Sequence, residues 1–136
     1  MNYKLGVMCE KKSILKDKSF AFALQCVNLH KYLTEMQKEF VLSKQLLRSG
    51  TSVGANIREA QNAQSTADFI HKPSIAQKEC DETIYWLELL NASDYIPHSK
   101  FESLNNEALE ILKMLRSSIL TSKQKTQNSK LKTQNS

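Results

Sequence analysis

Chain breakers are scarce along this polypeptide: three Gly and two Pro stand among 136 residues. A β-barrel or sandwich reverses direction often and draws on such residues to do so. So few of them leave room for a handful of long elements with short connections, which points to helices. The length suits one domain with a substantial core.

Apolar spacing then delimits the helices. From about Asp17 to Met36, the residues Phe22, Cys26, Leu29, Leu33 and Met36 recur at steps of four and three, one stripe of a helix. Phe20, Ala23 and Val27 widen the stripe, as a helix with two neighbours requires. After a short connection at 37–39, a second helix runs from about Phe40 to Ala63 with two interleaved stripes. One is Leu42, Leu46, Ser49, Val53, Asn56, Ala60 and Ala63; the other is Phe40, Ser43, Leu47, Gly50, Gly54, Ile57 and Gln61. Its centre, Ser49 to Ala55, is built of small residues. Each interior Gly costs about 1 kcal/mol relative to Ala, and the natural return is close approach of another backbone. A loop at Ser49-Gly50-Thr51 is the competing reading; unbroken periodicity favours one helix.

The third helix begins near Ser65, where Ser65-Thr66-Ala67-Asp68 resembles a capping box. Ala76, Cys80, Thr83, Leu87 and Leu90 form its inward stripe, which ends near Asp94. Pro73 removes a backbone donor and crowds the preceding turn, so either the helix kinks there or it starts there. The fourth helix follows Pro97 with the capping box Ser99-Lys100-Phe101-Glu102. Leu104, Ala108, Ile111 and Leu115 are its core, with Phe101, Leu112 and Ile119 alongside. The expected fold is all-α, an antiparallel up-down-up-down four-helix bundle over residues 17–120, after a partly ordered segment 1–16. Residues 121–136 read as a basic low-complexity tail. Lys123 to Ser129 is repeated with one substitution as Lys130 to Ser136, and so polar a stretch is expected to be disordered unless a partner orders it.

No catalytic set is visible. Gly50 and Gly54 lie within a helical pattern rather than in a phosphate loop, and no nucleophile elbow or HExxH pair occurs. Cys9, Cys26 and Cys80 are odd in number and far apart, fitting reduced thiols better than disulfides. His30, His71 and His98 are scattered, and the acids Glu79, Asp81 and Glu82 read as solvated charges, so neither metal nor cofactor is implied. No signal peptide or membrane span is recognisable, and a cytoplasmic location is the expectation.

The net charge of +5 is uneven. The tail alone supplies +4 from Lys123, Lys125, Lys130 and Lys132, leaving +1 for residues 1–120. Within those, residues 1–72 hold 11 basic and 6 acidic residues, and 73–120 hold 4 and 8. Opposed halves of this kind pair either between protomers, giving a heterologous contact that closes a ring, or inside one protomer.

Two surfaces follow. On the second helix Lys44, Arg48 and Arg58, interleaved with Ser52 and Ala55, make a shallow cationic strip on which a phosphate backbone could lie, with Lys72 nearby. An ordinary solvated face is the plainer reading. On the third helix Tyr85, Trp86 and Leu89 lie off the inward stripe among Glu79, Glu82 and Glu88. The single Trp serves there either as a subunit-contact anchor or as a lid over its own bundle.

Five ordered runs, Glu39 to Arg48, Ser52 to Gln61, Ala67 to Lys72, Ile75 to Cys80 and Glu82 to Leu90, resemble the family of small bacterial four-helix-bundle proteins encoded in intervening sequences of 23S rRNA genes. The accessory variability protein of diversity-generating retroelements is similar to the same family. The resemblance implies a homopentameric, barrel-like ring and nucleic-acid binding without established catalysis. Members beside reverse transcriptases bind that enzyme and nucleic acid through a basic surface. The family's Ser-x-Gly-x-Asn-Ile pattern falls on Ser52, Gly54, Asn56 and Ile57, its preceding basic position on Arg48, and its Lys-Glu and Tyr-Trp pairs on Lys78-Glu79 and Tyr85-Trp86. Gly50, Ser52, Gly54 and Asn56 are thereby expected in close helix packing, Asn56 as a buried hydrogen-bonding group. Pro73 and the near-neutral body depart from the pattern.

The expectation is a non-enzymatic homo-oligomer, a pentamer, that binds RNA or DNA through Lys44, Arg48, Arg58, Lys72 and the tail lysines. Tyr85, Trp86, Leu89, Glu79 and Glu82 are its expected subunit interface. The alternative is a protein-interaction scaffold or accessory subunit, for example of a reverse transcriptase, without intrinsic nucleic-acid affinity. No membrane partner is expected.

Overall fold

The computed structural model describes the backbone over residues 3–134 and the side chains over 14–65 and 67–132. Four helices account for nearly all of it: α1 (Tyr3–Glu35), α2 (Leu42–Gln61), α3 (Thr66–Ala92) and α4 (His98–Gln134). No strand occurs among the described residues. Every helix packs against two others, α1 and α3 each against α2 and α4, around one core.

The stripes read from spacing are the ones buried. Phe22, Cys26, Leu29 and Leu33 of α1 meet Leu46, Val53 and Ile57 of α2. Ala76, Cys80, Leu87 and Leu90 of α3 and Leu104, Ala108, Ile111 and Leu115 of α4 complete the core. Three apolar residues assigned to these stripes are instead exposed: Phe20, which faces away from the core, Met36, which falls past the end of α1, and Phe40, which precedes α2.

α2 runs unbroken through the small-residue centre. A Cβ on Gly50 would stand 2.5 Å from Cys26 Sγ and 3.0 Å from Cys26 Cβ; one on Gly54 would stand 3.3 Å from the Ser19 carbonyl oxygen. Gly50 thus lets α1 lie closer than a Cβ would allow without a shift of Cys26, while Gly54 leaves just enough room for one. On the other side of α2, the Thr83 hydroxyl lies 2.9 Å from the Ser49 hydroxyl and 2.7 Å from the Glu79 carbonyl. Both residues are fully buried, and this pair gives α2 and α3 a satisfied polar link in the core.

Helix ends show how local chemistry sets the limits. Ser65 is extended, and its hydroxyl accepts from the Asp68 N–H at 3.2 Å, the expected cap. With its start fixed there, α3 continues through a buried Pro73 and does not begin at it. At its other end Asp94 takes φ 64, the Tyr95 N–H reaches the Leu90 carbonyl and the Asp94 N–H the Asn91 carbonyl, a Schellman closure with Asp in place of Gly. α4 begins at His98, so Ser99 sits inside the first turn rather than capping it; the Pro97 carbonyl receives the N–H groups of Lys100 and Phe101.

The largest departures from expectation are at the chain ends. α1 starts at Tyr3 rather than near Asp17, and α4 runs through the repeat to Gln134 instead of dissolving after residue 120. No Gly or Pro interrupts residues 98–134, and the repeat is rich in Lys and Gln, both good helix formers. Hydroxyls bond back along the helix, Thr121 to the Ser117 carbonyl and Thr126 to the Ser122 carbonyl. Ile119 is the last fully buried residue among the described side chains, and beyond it only Ser122 and Thr126 are half-buried.

Cys26 and Cys80 are free and buried. Burial, reinforced by the nearby Cys80 and Glu107, pushes the Cys26 thiol up to about 12; burial, reinforced by Asp81, does the same for Cys80. The Cys80 thiol donates to the Ala108 carbonyl at 3.2 Å. Because thiolate is the reactive form, both residues are expected to resist a thiol reagent at neutral pH in a Cys9→Ser background. They should react fully once denaturant is added. Rapid native labelling of either would contradict this placement.

Candidate nucleic-acid interface

Lys44, Arg48 and Arg58 are all exposed on the outer face of α2, where the helical repeat puts them within one stripe. They are not electrostatically equivalent. Arg48 Nη1 lies 3.3 Å from Glu79 Oε2, its Nη2 pairs with Glu82, and its Nε donates to Gln45. Glu82 also accepts from the Trp86 indole N–H at 3.2 Å. The basic first half and the acidic second half therefore meet here within the protomer. Lys18 with Glu110 at 2.9 Å repeats the pattern between α1 and α4.

Lys72 is also engaged. Its ammonium lies 2.8 Å from Glu59, and that hydrogen bond, with the carboxylate's charge, raises its pKa. Lys44 and Arg58 have no carboxylate partner among the described residues. Arg48 and Lys72 would have to exchange carboxylates for phosphates; Lys44 and Arg58 would not. Exposed pairs of this type are worth about 1 kcal/mol or less, so the exchange is inexpensive.

The tail lysines stand apart from the α2 strip. Lys123, Lys125, Lys130 and Lys132 are exposed on the extension of α4, and no acid lies between Leu120 and Gln134. This is the longest stretch of the sequence in which cations are not interspersed with acids. The helix gives it a shape that the repeat alone did not disclose.

Of the expected subunit-contact residues, Tyr85 is 55% exposed, while Trp86 is half-buried, packed on the core and edge-on to Tyr85 with ring centroids 5.0 Å apart. Leu89 is half-buried, and Glu79 and Glu82 are held by Arg48. In the small-residue set, the Ser52 hydroxyl donates to the Arg48 carbonyl, and the half-buried Asn56 amide donates to the Ser52 carbonyl of its own helix. Asn56, expected as a buried hydrogen-bonding group, is half-buried and makes its bond along α2.

One residue escaped sequence reasoning altogether. Glu39 is 8% exposed, and its carboxylate accepts the N–H groups of Val41, Leu42 and Ser43 at 3.1, 2.9 and 2.7 Å. The Ser43 hydroxyl returns a bond to the Glu39 carbonyl at 2.8 Å. Burial acts to raise the Glu39 pKa, but these donors together hold it below the ordinary glutamate value.

A groove of about 460 Å³ lies between the end of α2 and the start of α3, lined by Glu59, Asn62, Ala63, Gln64, Asp68 and Lys72. Its one cation, Lys72, is already paired with Glu59, and Asp68 leaves the lining net acidic. Among the described residues no cluster of three or more His, Cys, Asp or Glu is placed to hold a metal ion, and no helix is long and apolar enough to cross a membrane.

The family model for the 23S rRNA-intervening sequence protein matches residues 11–117, from within α1 to midway along α4. The chain belongs to the 23S rRNA-intervening sequence protein family. A crystal structure of a protein of unknown function from the S23 ribosomal protein family of Bacteroides thetaiotaomicron is 60% identical. It covers 80% of this chain and 97% of its own, with a TM-score of 0.79. No curated protein matches. The family match ends at 117, so the lysine-bearing extension of α4 lies beyond it.

Proposed function

We propose that this member of the 23S rRNA-intervening sequence protein family is a non-catalytic, cytoplasmic homo-oligomer that binds nucleic acid through the phosphate backbone. The observation that carries the reading is exposed cationic charge on formed helices: Lys44 and Arg58 on α2, and four lysines with no acid interspersed on the α4 extension. Cations at fixed positions displace the counterions of a nucleic acid, and that gain does not depend on base sequence.

The assembly belongs to the same proposal. Residues 19, 26 and 30 of α1 meet 54, 50 and 43 of α2, while 48 and 59 of α2 meet 79 and 72 of α3. Such reversed order along neighbouring helices supports an up-down-up-down bundle. Five bundles would close into a ring, with Tyr85, Trp86 and Leu89 at the subunit contact. Light scattering should then return five times the 15.5 kDa chain mass; a monomer would remove the ring.

Filter binding across a salt series tests the nucleic-acid role. Log affinity should fall linearly with log salt, with a slope of about −0.9 for each phosphate contacted on duplex DNA. A flat response would overturn the proposal. A second reading rests on the exposed Tyr85 beside Trp86, an aromatic anchor suited to another protein, such as a reverse transcriptase that the chain would serve as accessory subunit. A protein partner captured after nuclease treatment would favour it; loss of all partners on that treatment would count against it.

A further inference from the structure

The seven-residue repeat at the end of α4 acquires a geometry once it is helical. Seven residues advance a helix by about two turns. Lys123 and Lys130 therefore fall on nearly one line, and Lys125 and Lys132 on another, about 160° away around the axis. Between these two rails, on the side turned from the bundle, lie Gln124, Gln127, Asn128 and Leu131, all exposed. On the opposite side Ser122 and Thr126 continue the line of the core stripe and are half-buried. One helix thus presents an amide-rich face with a cationic rail along each edge.

We infer that this extension of α4 seats in the major groove of double-stranded DNA, its two lysine rails reaching the phosphates on either side. The inference rests on the nucleic-acid reading above and deepens it by naming the partner's form. Charge complementarity carries the first part: four lysines and no acid face a polyanion. Helix dimensions carry the second. A helix is about as wide as the B-form major groove, whereas the A-form major groove of duplex RNA is too deep and narrow to admit one. Composition carries the third. No aromatic residue follows Phe101, so the extension has no platform on which unpaired bases could stack. Its outward amides suit the donor–acceptor edge of adenine, and Leu131 suits the thymine methyl.

The test compares short DNA duplex, RNA duplex and single-stranded DNA of one sequence in a salt series. The full-length chain should prefer the DNA duplex by roughly tenfold or more, the discrimination that one or more base-edge contacts supply. Two full-length variants separate charge from shape. Lys123→Gln, Lys125→Gln, Lys130→Gln and Lys132→Gln together should reduce the magnitude of the log–log salt slope by roughly 3 to 4. Gln127→Pro keeps every lysine but breaks the helix between the rails, and should abolish the preference for DNA duplex. Both changes lie beyond Ile119, so the four-lysine variant should melt with the parent and Gln127→Pro should keep a single cooperative transition, and Lys→Arg at the four positions should preserve the slope. Equal affinity for the three nucleic acids, an unchanged preference in Gln127→Pro, or an unchanged slope in the four-lysine variant would each overturn the inference while leaving salt-dependent binding intact. A parent chain that binds none of the three removes the underlying function as well.

Discussion

Gly50→Val is expected to destabilise the protein by about 3 kcal/mol, the upper range for forcing extra atoms into a packed core, and to lower the melting temperature by roughly 10 °C. Even one carbon at this position meets Cys26 Sγ at 2.5 Å and Cys26 Cβ at 3.0 Å, and Cys26 is wholly buried against α2. Two opposing effects must be weighed. Any residue but Pro improves on Gly in a helix interior by up to about 1 kcal/mol, so Gly50→Ala alone should show a smaller net loss. Cys26→Gly in that background should restore much of what alanine costs, giving a favourable coupling in a double-mutant cycle. Gly54 supplies the contrast: a Cβ there would come no nearer than 3.3 Å to its closest neighbour, a carbonyl oxygen, so Gly54→Ala should be near neutral. Thermal melts of the set decide the matter. A neutral Gly50→Val would mean that α1 and α2 do not meet at this seam.

Glu39→Ala is the second large effect, expected to cost about 2 kcal/mol. One carboxylate satisfies three backbone donors at the start of α2, and charged hydrogen bonds and helix caps are each worth on the order of 1 to 2 kcal/mol. The bonds are not additive, because water will reach some of the freed N–H groups. The effect carries a pH signature. The folded pKa of Glu39 is depressed, so its contribution is complete above the unfolded glutamate value of about 4.3. It is lost as pH falls from there through the lower folded value. Denaturant melts from neutral to acid pH should show Glu39→Gln less stable at neutrality and converging on the parent in acid. A constant offset across that range would contradict the role given to the carboxylate.

What spacing disclosed and what it hid divide along physical lines. Buried stripes repeat along one helix, so Phe22 to Leu33 or Leu104 to Leu115 can be read without knowing any neighbour. The small seam was legible for the same reason, since only a close approach repays glycine inside a helix. Ser65 was legible because hydroxyl and N–H lie three residues apart. Glu39 was not: Val41 occupies the cap position, and the carboxylate arrives from two residues earlier after Lys38 has turned to φ 55. Arg48 was half legible. Its exposure followed from the helix repeat, but its partners lie 31 and 34 residues away and depend on the register of α2 against α3. In the extension of α4, polarity pointed to disorder while helix propensity pointed the other way, and propensity prevails. Family membership was legible in the ordered runs from Glu39 to Leu90, and the comparison with known proteins agrees.

The contact between Gly50 and Cys26 also makes the seam sensitive to oxidation chemistry at the sulfur. Cys26 is wholly buried, and a Cβ on Gly50 would stand 2.5 Å from its Sγ, so an oxygen, a glutathione or an alkyl group added to this thiol is expected to loosen α1 from α2 much as a larger residue at position 50 would.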